Sequence, residues 1–317
     1  MPLDPELAPL LETPALPYSQ LPVEEARRLM LVASQPMSSD APLQEQFDTV
    51  AELPGRSIPL RVYRPHRATQ GSSATEARPH HAGDGALVYF HGGGWVLGSI
   101  VTHDAYCHAL AAESGVTIVS VDYRLAPEAP YPAAADDAIE VTEWILRQAE
   151  SLKLDASRIG VGGDSAGGNL AAVATQHLRD SGQPPLACQV LIYPIVDCDT
   201  DTASYRENGA GYLLTHETME WFWELYAADP QRRSEPKASP LRQRDLRGLP
   251  PALVLTAEYD PLRDEGEMYA RRLADSGGDV ELKRYDGMVH GFVRRTRELQ
   301  AARRAMRHVS QFLQRHL

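Results

Sequence analysis

From Ala86 onward the chain repeats one alternation: a short strand-like run, then a stretch whose apolar residues recur at helical spacing. Ala86–Phe90, Val116–Val121, Val190–Tyr193 and Leu253–Leu255 are runs of this kind, and Arg158–Gly162 is a further short strand. A strand with one wet face alternates apolar with polar residues, whereas a near-continuous apolar run marks a strand covered on both faces. Between the runs, Ala138, Val141, Ile145 and Ala149 share a helical face, and Leu170–Leu178 reads as a helix. Val280–Tyr285 alternates. Leu299, Ala302, Met306, Val309 and Leu313 then form the stripe of a C-terminal helix whose other face carries arginines. This order predicts an α/β fold with a mostly parallel central sheet flanked by helices. Phe47–Leu53 and Ser57–Arg64, around the turn dipeptide Pro54-Gly55, add two strands ahead of it.

Two segments break the rhythm. Residues 1–46 read as loosely helical, with Pro22 opening a helix and Leu29, Met30 and Val32 supplying its apolar contacts. Residues 199–249 are longer than an ordinary crossover. Within them Thr215–Ala228 is helical and dense in bulky side chains, namely Met219, Trp221, Phe222, Trp223, Leu225 and Tyr226. The expected organisation is therefore 1–46 as the N-terminal part of a helical cap, 47–198 as the first part of the core, 199–235 as a cap insertion and 236–317 as the rest of the core. The aromatic residues equally suit a helix's own core stripe. Residues 66–85, polar and small, read as an exposed loop or insertion.

The formal charge, 31 basic minus 43 acidic residues, is −12. Such a chain repels phosphate backbones and anionic lipid, so neither nucleic acid nor a membrane is an expected partner. Cys107, Cys188 and Cys198 make neither a disulfide framework nor a Cys-x-x-Cys metal site. His80-His81 has no third ligand at suitable spacing, and no metal is expected. The N-terminus has neither the basic start nor the apolar run of a signal peptide, which makes a cytoplasmic protein the expectation.

Chemistry concentrates in a few motifs. Gly163-Asp-Ser-Ala-Gly167 lies between a strand and a helix, the context of a nucleophile elbow that presents Ser165 at the top of a sheet. His91-Gly-Gly-Gly-Trp95 directly follows the strand 86–90. Its glycine amides, with that of Ala166, suit an oxyanion hole. It contains neither Gly-x-Gly-x-x-Gly nor a Walker sequence, which argues against a phosphate loop. His91 reads as a brace for this loop. A serine needs a base, and the base needs an orienting acid. Asp260 and His290 follow later strands in the order Ser…Asp…His, at strand ends where open α/β sheets place their sites. Asp264 and Glu258 compete for the acid position, and Asp164 should point away from the serine.

HGGGW, DYRLAPE (Asp122 to Glu128), GDSAGGNLA, DPLRDEG and HGF, in this order, resemble the hormone-sensitive-lipase-like esterases of the α/β-hydrolase superfamily, in the bacterial family IV branch that carries GDSAG. The resemblance spans about residues 85–315 and a cap-like N-terminus. It implies a serine carboxylesterase with triad Ser165, Asp260 and His290, oxyanion donors at Gly93, Gly94 and Ala166, with Gly92 less certain, and no cofactor. Asp122, Tyr123 and Arg124 would brace the sheet end. The expected reaction is hydrolysis of short- to medium-chain esters through an acyl-enzyme, in a pocket walled by Trp95, Leu213, Leu214, Met219, Phe222, Val289 and Phe292. An amidase, lactonase or carbamate hydrolase using the same triad, or a non-catalytic small-molecule receptor on the same fold, are the competing readings. The last strand can form a sheet edge open to pairing, which is compatible with a homodimer.

Overall fold

The computed structural model describes residues 2–12, 16–35, 41–66 and 84–317. Its centre is an eight-stranded sheet: β1 (Glu45–Leu53), β2 (Arg56–Arg64), β3 (Asp84–Phe90), β4 (Thr117–Val121), β5 (Leu154–Asp164), β6 (Gln189–Ile192), β7 (Ala252–Tyr259) and β8 (Val280–Val289). The spatial order is β1-β2-β4-β3-β5-β6-β7-β8. β1 pairs antiparallel with β2, and β2 with β4; every later pairing is parallel.

The helices are α1 (Ala8–Leu11), α2 (Val23–Ser34), α3 (Ile100–Ser114), α4 (Ala133–Arg147), α5 (Ala166–Asp180), α6 (Ala203–Asn208), α7 (His216–Tyr226), α8 (Pro230–Arg233), α9 (Arg263–Asp275) and α10 (Gln300–His316). Residues of α4, α5 and α9 bury one sheet face, and those of α3 and α10 bury the other. The two-residue period of a strand decides which side chain goes where. In β3, Ala86, Val88 and Phe90 enter the first core, while Leu87 and Tyr89 enter the second. In β7, Ala252 and Val254 face one way and Leu253, Leu255 and Ala257 the other. Burial on both faces is the physical reason that these strands read as near-continuous apolar runs.

Several boundaries differ from the sequence reading. β5 begins at Leu154, which pairs with Asp84, and continues to Asp164, whose partner is Ile192. β8 extends past Tyr285 to Val289, which places His290 immediately beyond its end. α5 starts at Ala166, immediately after the serine, and runs two residues beyond the expected Leu178. In α2 the buried face is Ala26 and Met30, and Val32 is 48% exposed. The loop expected at 66–85 lies mostly outside the described residues, as do His80 and His81, but Asp84 and Gly85 already belong to β3. Among the described residues no helix is long and apolar enough to cross a membrane.

The Asp122-Tyr-Arg stretch joins this frame to its helices. Asp137, fully buried in α4, accepts from the Arg124 backbone N–H at 3.0 Å, from Arg124 Nη2 at 2.7 Å and from Arg56 Nε at 2.9 Å. Tyr123 Oη donates to the His91 carbonyl at 2.7 Å. Replacing Asp137 by Ala leaves the Arg124 amide without its acceptor and strips the carboxylate from two guanidinium groups, of which Arg56 keeps Glu140 and Arg124 keeps the Ala133 carbonyl. Breaking a fully buried pair costs roughly 3–5 kcal/mol. Both arginines reach some water, so the expected loss is about 2–3 kcal/mol. Urea unfolding of Asp137→Ala should show this as a lowered midpoint at unchanged slope; an unchanged midpoint would mean water replaces the carboxylate without cost.

Candidate active site

Three β-strand ends converge above the sheet. Ser165 connects β5 to α5 with φ 57° and ψ −120°, a conformation that side-chain-bearing residues rarely adopt. Its neighbours leave no room for alternatives. A Cβ on Gly163 would lie 2.4 Å from the Phe90 carbonyl oxygen, and one on Gly167 would lie 1.9 Å from the same atom. The turn is held by three backbone bonds: Ser165 N–H to Ile192 O, Ile195 N–H to Ser165 O and Asn169 N–H to Ser165 O.

His290 brings the other two groups into line. Its Nε2 lies 3.1 Å from Ser165 Oγ, and its Nδ1 lies 2.7 Å from Asp260 Oδ2. Asp260 is fully buried beyond β7, and its second oxygen accepts from the Leu262 N–H at 2.9 Å. The competing acids are engaged elsewhere. Asp264 accepts from Ser204 N–H and Arg263 Nε, and Glu258 accepts from Gly287 N–H. The Tyr193 ring, missed in the sequence because it reads as an ordinary strand residue, packs 4.4 Å from the His290 ring.

The glycine loop follows β3. Among the described residues, no protein acceptor faces the N–H groups of Gly93, Gly94 or Ala166. Gly92 differs: its N–H donates to Asp164 Oδ1 at 3.0 Å, so it is not available to a ligand. A Cβ on Gly94 would meet the Phe222 ring at 2.1 Å, which places that ring directly against the loop. His91 stacks on Tyr123 at 4.3 Å, with Nδ1 2.9 Å from the Gly92 carbonyl. Burial, assisted by the charge of His103, pushes the His91 pKa down to about 3, so the ring is neutral. Arg27 of α2 reaches in to donate to the Val96 and Ala126 carbonyls.

Asp164 points away from Ser165 and into this loop. Besides Gly92, its carboxylate accepts from Tyr89 Oη at 2.7 Å and lies 3.3 Å from His103 Nε2. Burial opposes its ionisation, but His103, Arg294 and the Tyr89 hydroxyl together hold its pKa well below the usual carboxylate range. His103 itself is pushed down, chiefly by burial. No sequence signal pairs His103 with Asp164; only the fold of α3 against the loop does so.

A cavity of about 420 Å³ opens over Ser165 and His290. Leu213, Leu214 and Phe222 line it as expected, joined by Leu10, Leu16, Tyr18, Met30 and Leu97. Trp95, Met219, Val289 and Phe292 do not line it and are fully buried. Trp95 stacks on Tyr226 at 4.1 Å and contacts Trp223, so its ring fastens α7 to the glycine loop. Met219 lies on the buried stripe of α7 beside Trp223, while Val289 and Phe292 join the second core. Among the described residues, no three His, Cys, Asp or Glu side chains gather in a metal-holding group.

Comparison with known proteins sets the chain among alpha/beta hydrolases and esterases. Residues 87–294 match the Abhydrolase_3 family model, described as an alpha/beta hydrolase fold. The chain is 38% identical to an ethyl acetate hydrolase of Pseudomonas putida over the full length of both. It is 39% identical to the carboxylesterase NlhH of Mycobacterium tuberculosis, across 92% of this chain and 89% of that one. A solved Pyrobaculum calidifontis esterase, 39% identical, superposes with a TM-score of 0.91 over 99% of both chains.

The Asp164 anchor generates a prediction. Asp164→Ala frees the Gly92 N–H and the loop that carries the Gly93 and Gly94 amides. Complete loss of one oxyanion donor lowers kcat by about 10²–10³, and a displaced donor should cost roughly tenfold or more. Ester hydrolysis should therefore lose kcat with KM nearly unchanged; a change confined to KM would contradict the anchoring role. The carboxylate's contribution to stability is complete above about pH 4, the value for an unfolded carboxyl, and is lost as pH falls through its lowered native value.

Proposed function

This chain belongs to the Abhydrolase_3 family of alpha/beta hydrolases and is a carboxylesterase, and from that premise we propose that it cleaves short- to medium-chain carboxylic esters through an acyl-enzyme on Ser165. The observation that carries this reading is the position of His290, with one ring nitrogen 3.1 Å from the serine hydroxyl and the other 2.7 Å from a buried carboxylate.

As Ser165 Oγ attacks the ester carbonyl carbon, His290 Nε2 takes its proton. Asp260 fixes the tautomer through Nδ1–H and stabilises the imidazolium that forms. The carbonyl electron pair moves onto oxygen, and the N–H groups of Gly93, Gly94 and Ala166 receive the oxyanion. When the tetrahedral intermediate collapses, the C–O bond to the alcohol breaks and His290 protonates the departing oxygen. Water then repeats the sequence on the acyl-serine, giving up a proton to His290 and releasing the acid. The dipole of α5, whose first residue is Ala166, favours the negative charge at each stage. The cavity size, with walls of leucine and the Phe222 ring, favours small acyl chains, and all of those walls but Leu97 come from the described residues of 1–46 and from 199–235, which act as its cap.

A phosphonate probe should label Ser165 covalently, with loss of labelling in Ser165→Ala. That variant should lose kcat by about 10⁶-fold while its melting temperature stays close to the parent's or rises. Asp260→Asn should lose about 10⁴-fold through the wrong tautomer. If Asp264→Asn is the damaging substitution instead, the acid has been misassigned.

A further inference from the structure

The reaction leaves one strong group in the cavity unused. Arg294 ends the 3-10 turn Phe292–Arg294, just beyond His290, and lines the same cavity as Ser165. Among the described residues it has no carboxylate at ion-pair distance. Its polar contacts come from Nη1 alone, which donates to the Thr102 carbonyl and lies against His103 Nε2, both at 3.4 Å. Nε and Nη2 have no protein acceptor among these residues. The adjacent Arg295, by contrast, pairs with Glu298 at 2.9 Å. Asp164 feels the charge of Arg294, but its oxygens are already taken up by Tyr89, Gly92 and His103.

Tyr18 supplies a second polar group. It lines the cavity, and its phenol makes no hydrogen bond to a described residue. Burial raises its pKa, and the positive charge of Arg294 works the other way. Leu97, Leu213, Leu214 and Phe222 make much of the remaining wall apolar. A guanidinium in such surroundings presents a planar fork of donors that matches a carboxylate better than any neutral acceptor. The chain as a whole is acidic, but its long-range repulsion is screened beyond about 8 Å at physiological ionic strength, so the charges at the cavity weigh most: Arg294 and the Glu298-paired Arg295 against Asp164, whose oxygens are already engaged.

We propose that Arg294, with Tyr18 on the lining of the same cavity, forms an anion subsite that selects esters also carrying a carboxylate, such as half-esters of short dicarboxylic acids. The proposal rests on the Ser165 reading above, because the ester must reach that hydroxyl while its carboxylate meets the arginine.

The test compares monoethyl succinate with ethyl 4-methylpentanoate, an uncharged ester of the same shape, in the parent enzyme and in Arg294→Met and Arg294→Lys. Arg294→Met should lower the ratio of kcat/KM for the charged ester to that for the neutral ester roughly tenfold or more, mainly through KM of the charged ester. Arg294→Lys should recover part of the loss, since it keeps the charge but not the fork. An unchanged ratio of the two esters in Arg294→Met overturns the proposal. If that variant does not fold, the ratio in Arg294→Lys decides: a several-fold fall supports the subsite and an unchanged ratio overturns it. Ser165→Ala, run alongside, separates the two claims. Turnover of the neutral ester surviving there would sink the acyl-enzyme reading, whereas a ratio insensitive to residue 294 sinks only the subsite.

Discussion

The backbone at Ser165 is the constraint around which the site is organised. A residue at φ 57° and ψ −120° costs about 1–3 kcal/mol, and it persists only because its surroundings admit nothing else. The Phe90 carbonyl stands where side chains on residues 163 and 167 would have to go. Behind the turn, Asn169 Nδ2 donates to the Ile195 and Ala238 carbonyls, and the buried Glu265 accepts from the Val196 and Asp197 amides. These bonds fix the segment that itself donates to the Ser165 carbonyl. The strain is thus offset by a shell of hydrogen bonds that serve no other purpose in the site.

The residue before the serine extends that rigidity sideways. Asp164 leaves the elbow in the opposite direction from Ser165 and ends on the Gly92 amide, so one peptide unit ties nucleophile and glycine loop into a single body. Tyr123, His91 and Arg27 clamp the loop from its other sides. Preorganised donors are effective because they need not reorient when charge develops.

How much of this could be read beforehand differs by residue. The inner strands were readable because burial on both faces gives them an unmistakable composition, and Ser165, Asp260 and His290 were placed by their order and by lying beyond strand ends, His290 beyond the alternating β8. The walls were readable only in part: Leu213, Leu214 and Phe222 line the cavity, whereas Trp95, Met219, Val289 and Phe292 do not. Phe222 and Met219 lie on the same apolar stripe of α7, yet one faces the cavity and the other the core. Trp95, also expected as a wall, turns its ring into the cluster with Trp223 and Tyr226. Apolar side chains are written identically for a core and for a pocket, and only packing distinguishes them. His103 and Arg294 escaped notice for a different reason: their importance lies in a contact between α3 and the turn after β8, which no local pattern encodes.

The division of labour between chain segments has an evolutionary corollary. The reacting groups sit on strand ends braced by the sheet, whereas Leu10, Leu16, Tyr18, Met30, Leu213 and Phe222 come from segments that contribute no strand. Drift in those segments can re-tailor which molecules are admitted while the bond-breaking apparatus is inherited intact. Phe222 is the exception, since its ring rests on Gly94, and a lineage that trades it away alters admission and rate in the same step.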